Sequence, residues 1–265
     1  MTNVVTGMEA LNSLNDEETS GSNTEFTSFK TGTEILVKVI GKEVDLGGEK
    51  KYVGDFAMFF NYGIFGQINS FVAVEPSKKS ARGFPVENLT PWDKAWKYHK
   101  DLSEKFDDEH GKEASKYRCR QRYAFGFIDL ETGEPIVIDL SRNQAQVING
   151  AITRFGKNLD KRAFTLAKEG SGKNTVVSLT PVLDMDDELT DKQRENFDNA
   201  PKEFDMSLFE NLNYEADEKE QLQLLTKAGF DITKIGYSAE DAKDDEEVKG
   251  NENDSSEISE EDLPF

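Results

Sequence analysis

The sequence predicts a mainly β fold with helices, in which a small five-stranded barrel carries a helical insertion and is followed by an acidic tail. Short β-branched and aromatic runs alternate with Gly-containing turns, as in all-β domains. Repeated strand–helix–strand units are not evident, which argues against a doubly wound parallel sheet. Near its end the chain has almost no core-forming residues, which predicts disorder there.

The first part of the predicted domain consists of strands. Residues 1–32 are polar and show no sustained period, so we expect a flexible arm. Residues 35–40 form a short β-branched strand, and the glycine pair 47–48 ends this segment with a turn. Residues 52–74 are dense in aromatic and aliphatic side chains but are interrupted by glycines, which predicts two strands or one strongly bent strand.

A helical insertion, residues 76–113, divides the predicted domain. It opens with a basic loop at 76–83. Residues 91–107 are expected to form a helix, because Pro91 suits the first helical turn and apolar side chains recur on one side.

Strands return after the insertion. Residues 117–130 and 136–140 predict a hairpin, and 162–168 and 175–182 predict a second one. Between the hairpins, residues 141–155 keep a 3.6-residue apolar period and begin with a serine suited to capping a helix.

A partly open five-stranded barrel with a helix between its third and fourth strands is the OB-fold, and 141–155 lies where that helix belongs. The predicted organisation is an arm at 1–32, an OB-fold core at 33–182 with the insertion 76–113, an acidic region at 183–237 with helices at 205–212 and 214–228, and a disordered acidic tail at 238–265.

Composition excludes several classes of protein. No run reaches the 18 apolar residues that a membrane helix needs, and the N-terminus lacks the order of a signal peptide, so we expect a cytoplasmic protein. Cys119 is the only cysteine, which rules out an internal disulfide. With only His99 and His110 beside it, a zinc site of the Cys/His kind has too few ligands, and we expect no metal or cofactor.

The formal net charge of −20 is distributed unevenly. Residues 1–75 have a net charge of −6, residues 76–180 of +5, and residues 181–265 of −19. A mildly basic middle flanked by acidic segments is compatible with nucleic-acid binding, and the acidic end indicates an interaction tail. A role of the acidic residues in solubility alone explains the charge equally well, and charge does not distinguish the two roles.

The segment 116–127 is the clearest candidate for a nucleic-acid contact. In a strand, alternate residues share a face, so Arg118, Arg120 and Arg122 are expected to line one side at spacings of about 6.6 Å. This spacing roughly matches the phosphate repeat of a single strand. The alternative is a solvated cationic face over an aromatic core.

Further basic side chains and aromatic rings complete the predicted interface. The other predicted DNA contacts are Lys94, Lys97, Tyr98, Lys100, Lys116, Tyr123, Arg142, Arg154, Lys157, Lys161 and Arg162, with Lys78, Lys79 and Arg82 as further basic candidates. Sequence-tolerant binding also needs rings on which bases stack. The candidates are Tyr62, Phe65, Trp92, Trp96, Tyr98, Tyr117 and Tyr123, although for each alone core packing is the commoner role.

The end of the sequence predicts a protein-docking segment. Residues 240–265 hold 12 acidic side chains and close on Leu263, Pro264 and Phe265. Phe265 offers an aromatic anchor, Pro264 limits the conformations lost on binding, and Glu260, Glu261 and Asp262 would meet a basic rim on the partner. An ordinary acidic solubility tail explains the charge but not the final tripeptide.

Residues 257–265 resemble the tip of bacterial single-stranded-DNA-binding proteins, in which acidic residues precede an aliphatic residue, proline and phenylalanine. Leu263 is similar to the form common in Gram-positive bacteria. The resemblance implies an OB-fold that binds DNA and a tip that recruits replication, recombination and repair proteins. The arrangement of the whole chain resembles the T-even phage helix-destabilising proteins, but their zinc ligands are absent here. A phage protein with a host-type tip is therefore expected.

Enzymatic motifs are weak, and we expect no enzyme. Residues 170–173 look like part of a phosphate loop but lack its earlier glycine and join two strands instead of opening a helix. The acidic residues of 184–188 are metal-ligand types but lie where the chain turns generally acidic. The remaining alternatives are an RNA-binding or transcription-regulating OB protein, a strand-annealing recombinase and a metal-dependent nuclease.

Overall fold

The structure is a computed structural model that describes residues 25–243. The strands are β1 (Glu34–Lys38), β2 (Gly41–Leu46), β3 (Glu49–Gly54), β4 (Phe56–Ile64), β5 (Ile68–Ala73), β6 (Lys78–Lys79), β7 (Pro85–Glu87), β8 (Arg120–Asp129), β9 (Pro135–Ser141), β10 (Phe164–Glu169), β11 (Val176–Pro181) and β12 (Glu215–Ala216). The helices are α1 (Pro91–Leu102), α2 (Glu109–Tyr117), α3 (Arg142–Phe155), α4 (Met185–Glu188), α5 (Asp191–Asn199) and α6 (Glu218–Lys227).

One eight-stranded sheet organises the chain, in the order β11-β10-β1-β8-β4-β5-β12 with β9 on the other edge of β8. The central strand β8 pairs with β4 along its first half and with β1 at its end, where Val37 lies opposite Asp129. Strands β2 and β3 form a separate ribbon, and β6 and β7 form a short hairpin. Within residues 25–243 the sheet forms no closed barrel, and the predicted OB-fold is not confirmed.

The fold is mixed α/β, with about 31% strand and 33% helix, and so contains more helix than the mainly β prediction. Helix α2 was not predicted, because its sequence is mostly charged and shows little apolar period. Asp108 caps it by accepting a hydrogen bond from the Gly111 amide. Helix α1 ends at Leu102, earlier than expected, and residues 205–212 form only a 3₁₀ turn at Met206–Phe209.

Helix α3 agrees with its sequence signals. The Ser141 hydroxyl accepts from the Gln144 amide while the Gln144 side chain accepts from the Ser141 amide, which forms a capping box. Ile148 and Ile152 are fully buried against the sheet. Their core also includes Phe125 and Phe127 of β8, so α3 covers one face of the central strand.

The opposite face of β8 is covered by the acidic region that was predicted to follow the core. The Phe204 ring lies directly on the backbone of Gly126, where an added Cβ would come within 2.5 Å of the ring. Phe204 and Leu212 are buried with Ala124 and Ile128. Residues beyond 183 therefore complete the sheet's packing, which charge composition did not indicate.

A second core joins the insertion to the later helix α6. Trp92 of α1 is fully buried and packs edge-on against Phe71, while Leu225 of α6 and Phe230 belong to the same cluster. Trp92 is therefore a core residue and not a base-stacking ring. Within residues 25–243, no helix combines the length and apolarity needed to cross a bilayer.

Candidate nucleic-acid interface

A groove of about 520 Å³ lies between the inserted helices, the start of β8 and the beginning of α3. We call it the basic groove. Among residues 25–243, five cationic residues and four aromatic rings line it, and no carboxylate does. The cations are Arg82, Lys100, Arg118, Arg120 and Arg142, and the rings are Phe60, Phe84, Trp96 and Phe106.

The β6–β7 turn carries part of one wall of the groove. The Ser80 amide donates to the Phe84 carbonyl at 2.8 Å, and the Ser80 hydroxyl accepts from the Phe84 amide at 3.1 Å. Gly83 adopts a φ of +80°, a conformation that favours glycine, and an added Cβ would lie 3.3 Å from the Phe60 ring. The turn thereby fixes Phe84 and places Arg82 at the exposed rim.

A cation and two rings are layered in this wall. The Arg118 guanidinium lies 4.9 Å from the centroid of the Phe84 ring, and Phe84 stacks on Trp96 at 5.9 Å with an interplanar angle of 21°. Aromatic rings and guanidinium groups are the side chains on which unpaired bases stack. Phe106, 56% exposed, adds a further ring to the lining.

The N-terminus of α3 closes the far side of the groove. Ser141, Arg142 and Asn143 belong to the lining, so the first turn of the helix faces the groove. The aligned peptide dipoles place a partial positive charge at this end, which adds to the charge of the arginine.

The floor of the groove continues along β4 and β8. Phe60 lies opposite Gln121, and the next pair on the same face joins Met58 with Tyr123. Met58 is 47% exposed and Tyr123 is half-buried. A polymer lying in the groove would therefore meet accessible apolar and aromatic surface beyond it.

A buried polar network anchors the hairpin that forms the wall. The Lys79 ammonium lies 2.8 Å from the Asp93 carboxylate and 2.9 Å from the Tyr62 hydroxyl. Ser77 also donates to Asp93. Burial and the neighbouring Asp93 raise the pKa of Tyr62, so the tyrosine keeps its proton. Lys79 thus serves the fold and not the predicted basic face.

Four predicted contacts lie in the groove: Lys100, Arg118, Arg120 and Arg142. Arg120 also donates to the Gly63 carbonyl at 3.4 Å. Sequence reasoning placed Trp96 among the stacking candidates but missed Phe60, Phe84 and Phe106. Their grouping depends on the hairpin turn, which no local sequence period reveals.

The position of Arg122 contradicts the predicted face of three solvated arginines. Its side chain is 8% exposed and forms a salt bridge with Asp139 of the neighbouring strand β9, at 2.9 Å. The alternation of the strand places this residue on the face that Phe204 covers, so Arg122 is not solvated. Arg118, in turn, caps α2 and precedes β8.

Several other predicted contacts lie outside the lining of the groove. Lys94 donates to the Tyr237 hydroxyl at 2.6 Å, and Tyr98 packs edge-on against Phe230. Lys97 and Lys116 form ion pairs within their own helices, as Lys97–Asp101 at 2.7 Å and Lys116–Glu113 at 2.6 Å. Tyr123 lies on the continuing floor.

The remaining predicted cations lie at the other end of α3. Arg154 is 12 residues from Arg142, which along a helix is about 18 Å. Lys157, Lys161 and Arg162 follow it and are exposed. None of these residues lines the groove.

The possible metal-ligating side chains of the described residues are not grouped together. Residues 25–243 contain no cluster of three His, Cys, Asp or Glu side chains placed to hold a metal ion. The His99 and His110 Nδ1 atoms lie 3.0 Å apart. Residues 170–173 lie between β10 and β11, with a 3₁₀ turn at Gly172–Asn174.

Comparison with known proteins adds no relative. No protein-family model, no curated protein sequence and no solved structure matches the chain. What the protein does is therefore inferred from the basic groove and from the sequence itself.

Proposed function

We propose that the protein binds single-stranded nucleic acid, foremost DNA and without sequence preference, in the basic groove. The observation that carries the proposal is the lining of the groove, where five cations and four aromatic rings of the described part of the chain meet without a carboxylate from that part. The cations neutralise phosphates and release the counterions bound there, and this release becomes less favourable as the salt concentration rises, so affinity falls with salt. Each stacked base contributes about 1–3 kcal/mol, whatever its identity.

The preference for single strands follows from the rings. The Phe84 and Trp96 rings lie inside a groove, and a base can stack on them only when it is unpaired. A duplex presents phosphates but keeps its base faces stacked internally. Duplex binding should therefore use the cations alone and be weaker.

The strand arrangement supports an OB-type core. In chain order, the five strands of this core are β1, β8, β9, β10 and β11, and helix α3 comes between the third and the fourth of them. In the sheet, β1 lies between β8 and β10. We propose that they form a partly open OB-fold, with β2 to β7 and the two inserted helices between its first and second strands. OB-folds bind ligands at their second and third strands, which here are β8 and β9. Arg120 and Gln121 at the start of β8 and Ser141 at the end of β9 line the groove.

Titration with oligonucleotides tests the proposal. Single-stranded DNA, duplex DNA and RNA of equal length are compared at 50 and 200 mM salt, with tryptophan fluorescence as the signal. Trp96 lines the groove whereas Trp92 is fully buried, so quenching should come from Trp96 and should largely disappear in Trp96→Phe. Equal or tighter binding to duplex DNA contradicts the proposal. Tighter binding to RNA favours the alternative of an RNA-binding protein.

We further propose that residues 260–265 recruit replication, recombination or repair proteins in the cytoplasm of a bacterial host. This segment lies outside the described residues, and its sequence alone supports the proposal: three acidic residues followed by Leu263, Pro264 and Phe265. Deleting 263–265 leaves all the acidic charge in place. The deletion should leave DNA affinity unchanged and abolish capture of replication, recombination or repair proteins. If the full-length and the deleted protein capture the same partners, the proposed recruitment is wrong.

A further inference from the structure

A second concave surface, the acidic pocket, lies at the β5–β12 end of the sheet and has a volume of about 520 Å³. It shares no lining residue with the basic groove. Of the residues that the structure describes, four carboxylates and one cation, Lys219, line it. The carboxylates are Glu75, Asp217, Glu218 and Asp241, and the apolar lining is Val74, Leu89, Pro91, Leu222 and Tyr237.

The acidic pocket also contains an unused buried acceptor. Gln221 of α6 is 2% exposed and belongs to the lining. Its Nε2 donates to the Ala216 carbonyl at 3.1 Å, but its Oε1 has no hydrogen-bond partner within residues 25–243. Buried acceptors are nearly always satisfied, because leaving one without a donor is unfavourable.

The fold accounts for part of this charge but not for the Gln221 oxygen. Asp217 caps α6 by accepting from the Glu220 amide at 2.8 Å, and Glu218 accepts from the Tyr237 hydroxyl. These roles explain why acidic residues stand at the beginning of α6. Neither role supplies a donor to Gln221 Oε1, so the pocket as a whole calls for a ligand with positive charge and N–H groups.

We infer that the acidic pocket docks an arginine or lysine side chain from a basic segment of a partner protein. The cationic head donates to Gln221 Oε1 and is attracted by the surrounding carboxylates. The methylene stem lies along Val74 and Leu222, since long basic side chains cover apolar surface while their heads stay polar. This assignment is independent of nucleic-acid binding in the basic groove.

Size and donor placement argue against a metal ion as the occupant. A volume of about 520 Å³ far exceeds the space of a single ion. In the part of the chain that the structure describes, no three carboxylate, imidazole or thiol groups converge closely enough to hold one. A side chain with an extended apolar stem fits both the mixed lining and the spread of the carboxylates.

The test uses the full chain and a fluorescently labelled, capped peptide in which arginine and glycine alternate. Glu75→Gln combined with Asp241→Asn removes two charges from the pocket. Asp107→Asn combined with Glu203→Gln removes two exposed charges elsewhere and is the matched control. Residues 240–265 hold 12 acidic side chains that attract any basic peptide, so only the difference between the two double variants reports on the pocket.

We expect peptide affinity to fall at least fivefold in the pocket variant and less than twofold in the control. Gln221→Met, which removes the acceptor and keeps the volume, should weaken binding even at high salt, and the peptide should shift the Gln221 side-chain amide resonances of the unsubstituted protein. Equal losses in both double variants would overturn the assignment. If free arginine or spermidine binds as tightly as the peptide, the claim that a protein segment docks in the pocket is wrong. If Ca²⁺ displaces the peptide, the claim that the ligand is a basic side chain is wrong.

Discussion

Removing three cations from the basic groove should flatten the salt dependence of DNA binding by a predictable amount. Arg82, Arg118 and Arg142 are exposed members of its lining. Each neutralised phosphate of a single strand contributes about 0.7 to the slope of log affinity against log salt, so the five cations together give a slope of about −3.5. The triple alanine variant retains two cations and should give about −1.4.

Equilibrium titration of an oligodeoxythymidine measures this difference directly. Between 50 and 200 mM salt, the unsubstituted protein should lose about 100-fold in affinity and the triple variant about sevenfold. Thermal stability should change little, because exposed substitutions are usually within about 0.5 kcal/mol. The cation–π contact between Arg118 and Phe84 adds about 0.5–1 kcal/mol at most.

A charge-matched control separates the groove from the rest of the surface. Lys97, Lys116 and Arg154 were predicted DNA contacts from sequence, but none of them lines the groove. Their triple alanine variant should keep the slope within about half a unit of −3.5. If the control flattens the slope as much as the groove variant does, general surface charge and not the groove binds DNA.

Three further predictions concern other parts of the structure. Phe84→Ala should cost about 1–3 kcal/mol of single-strand affinity through lost stacking, with an unchanged circular dichroism spectrum; unaltered affinity in a titration would exclude this ring. Arg122→Ala should lower the free energy of urea unfolding by about 3–5 kcal/mol, because it removes one partner of a buried salt bridge, yet preserve affinity per folded molecule; loss of affinity without loss of stability would make Arg122 a DNA contact. Burial lowers the pKa of the His99 imidazole below its ordinary 6.5. The contribution of His99 to the free energy of unfolding is therefore complete above pH 6.5. It is lost as the pH falls from 6.5 toward the lowered pKa, by at most about 1.4 kcal/mol per pH unit. Urea unfolding at pH 7 and 5.5 should show a smaller loss for His99→Gln, and equal losses would contradict the role of this imidazole.

Local signals in the sequence were sufficient for several elements. The serine cap and apolar period of α3 predicted its bounds because both signals lie within the helix itself. The two late strands, β10 and β11, agree with their predicted ranges to within two residues at each end. Helix α2 was missed because its stability comes from the Asp108 cap and from packing, neither of which leaves a period in a charged sequence.

The basic groove could be predicted only in part, because distant segments create it. Alternation along β8 indicated that Arg120 and Arg122 share a face, but it could not show that Phe204 and its neighbours bury the second of them. Phe84 and Arg118 are 34 positions apart and meet only through the hairpin turn. Charge composition therefore identified a segment that contributes to the groove but not the residues that line it.

Photochemical cross-linking tests the central claim most directly. Ultraviolet irradiation of the full chain bound to oligodeoxythymidine, followed by mass spectrometry of its peptides, identifies the residues that touch the bases. We expect cross-links at Phe84 and Trp96, which are stacked in the groove wall, and fewer in the presence of excess unlabelled single strand. Cross-links confined to the far end of α3, near Phe155, or none within residues 25–243, would contradict binding in the basic groove.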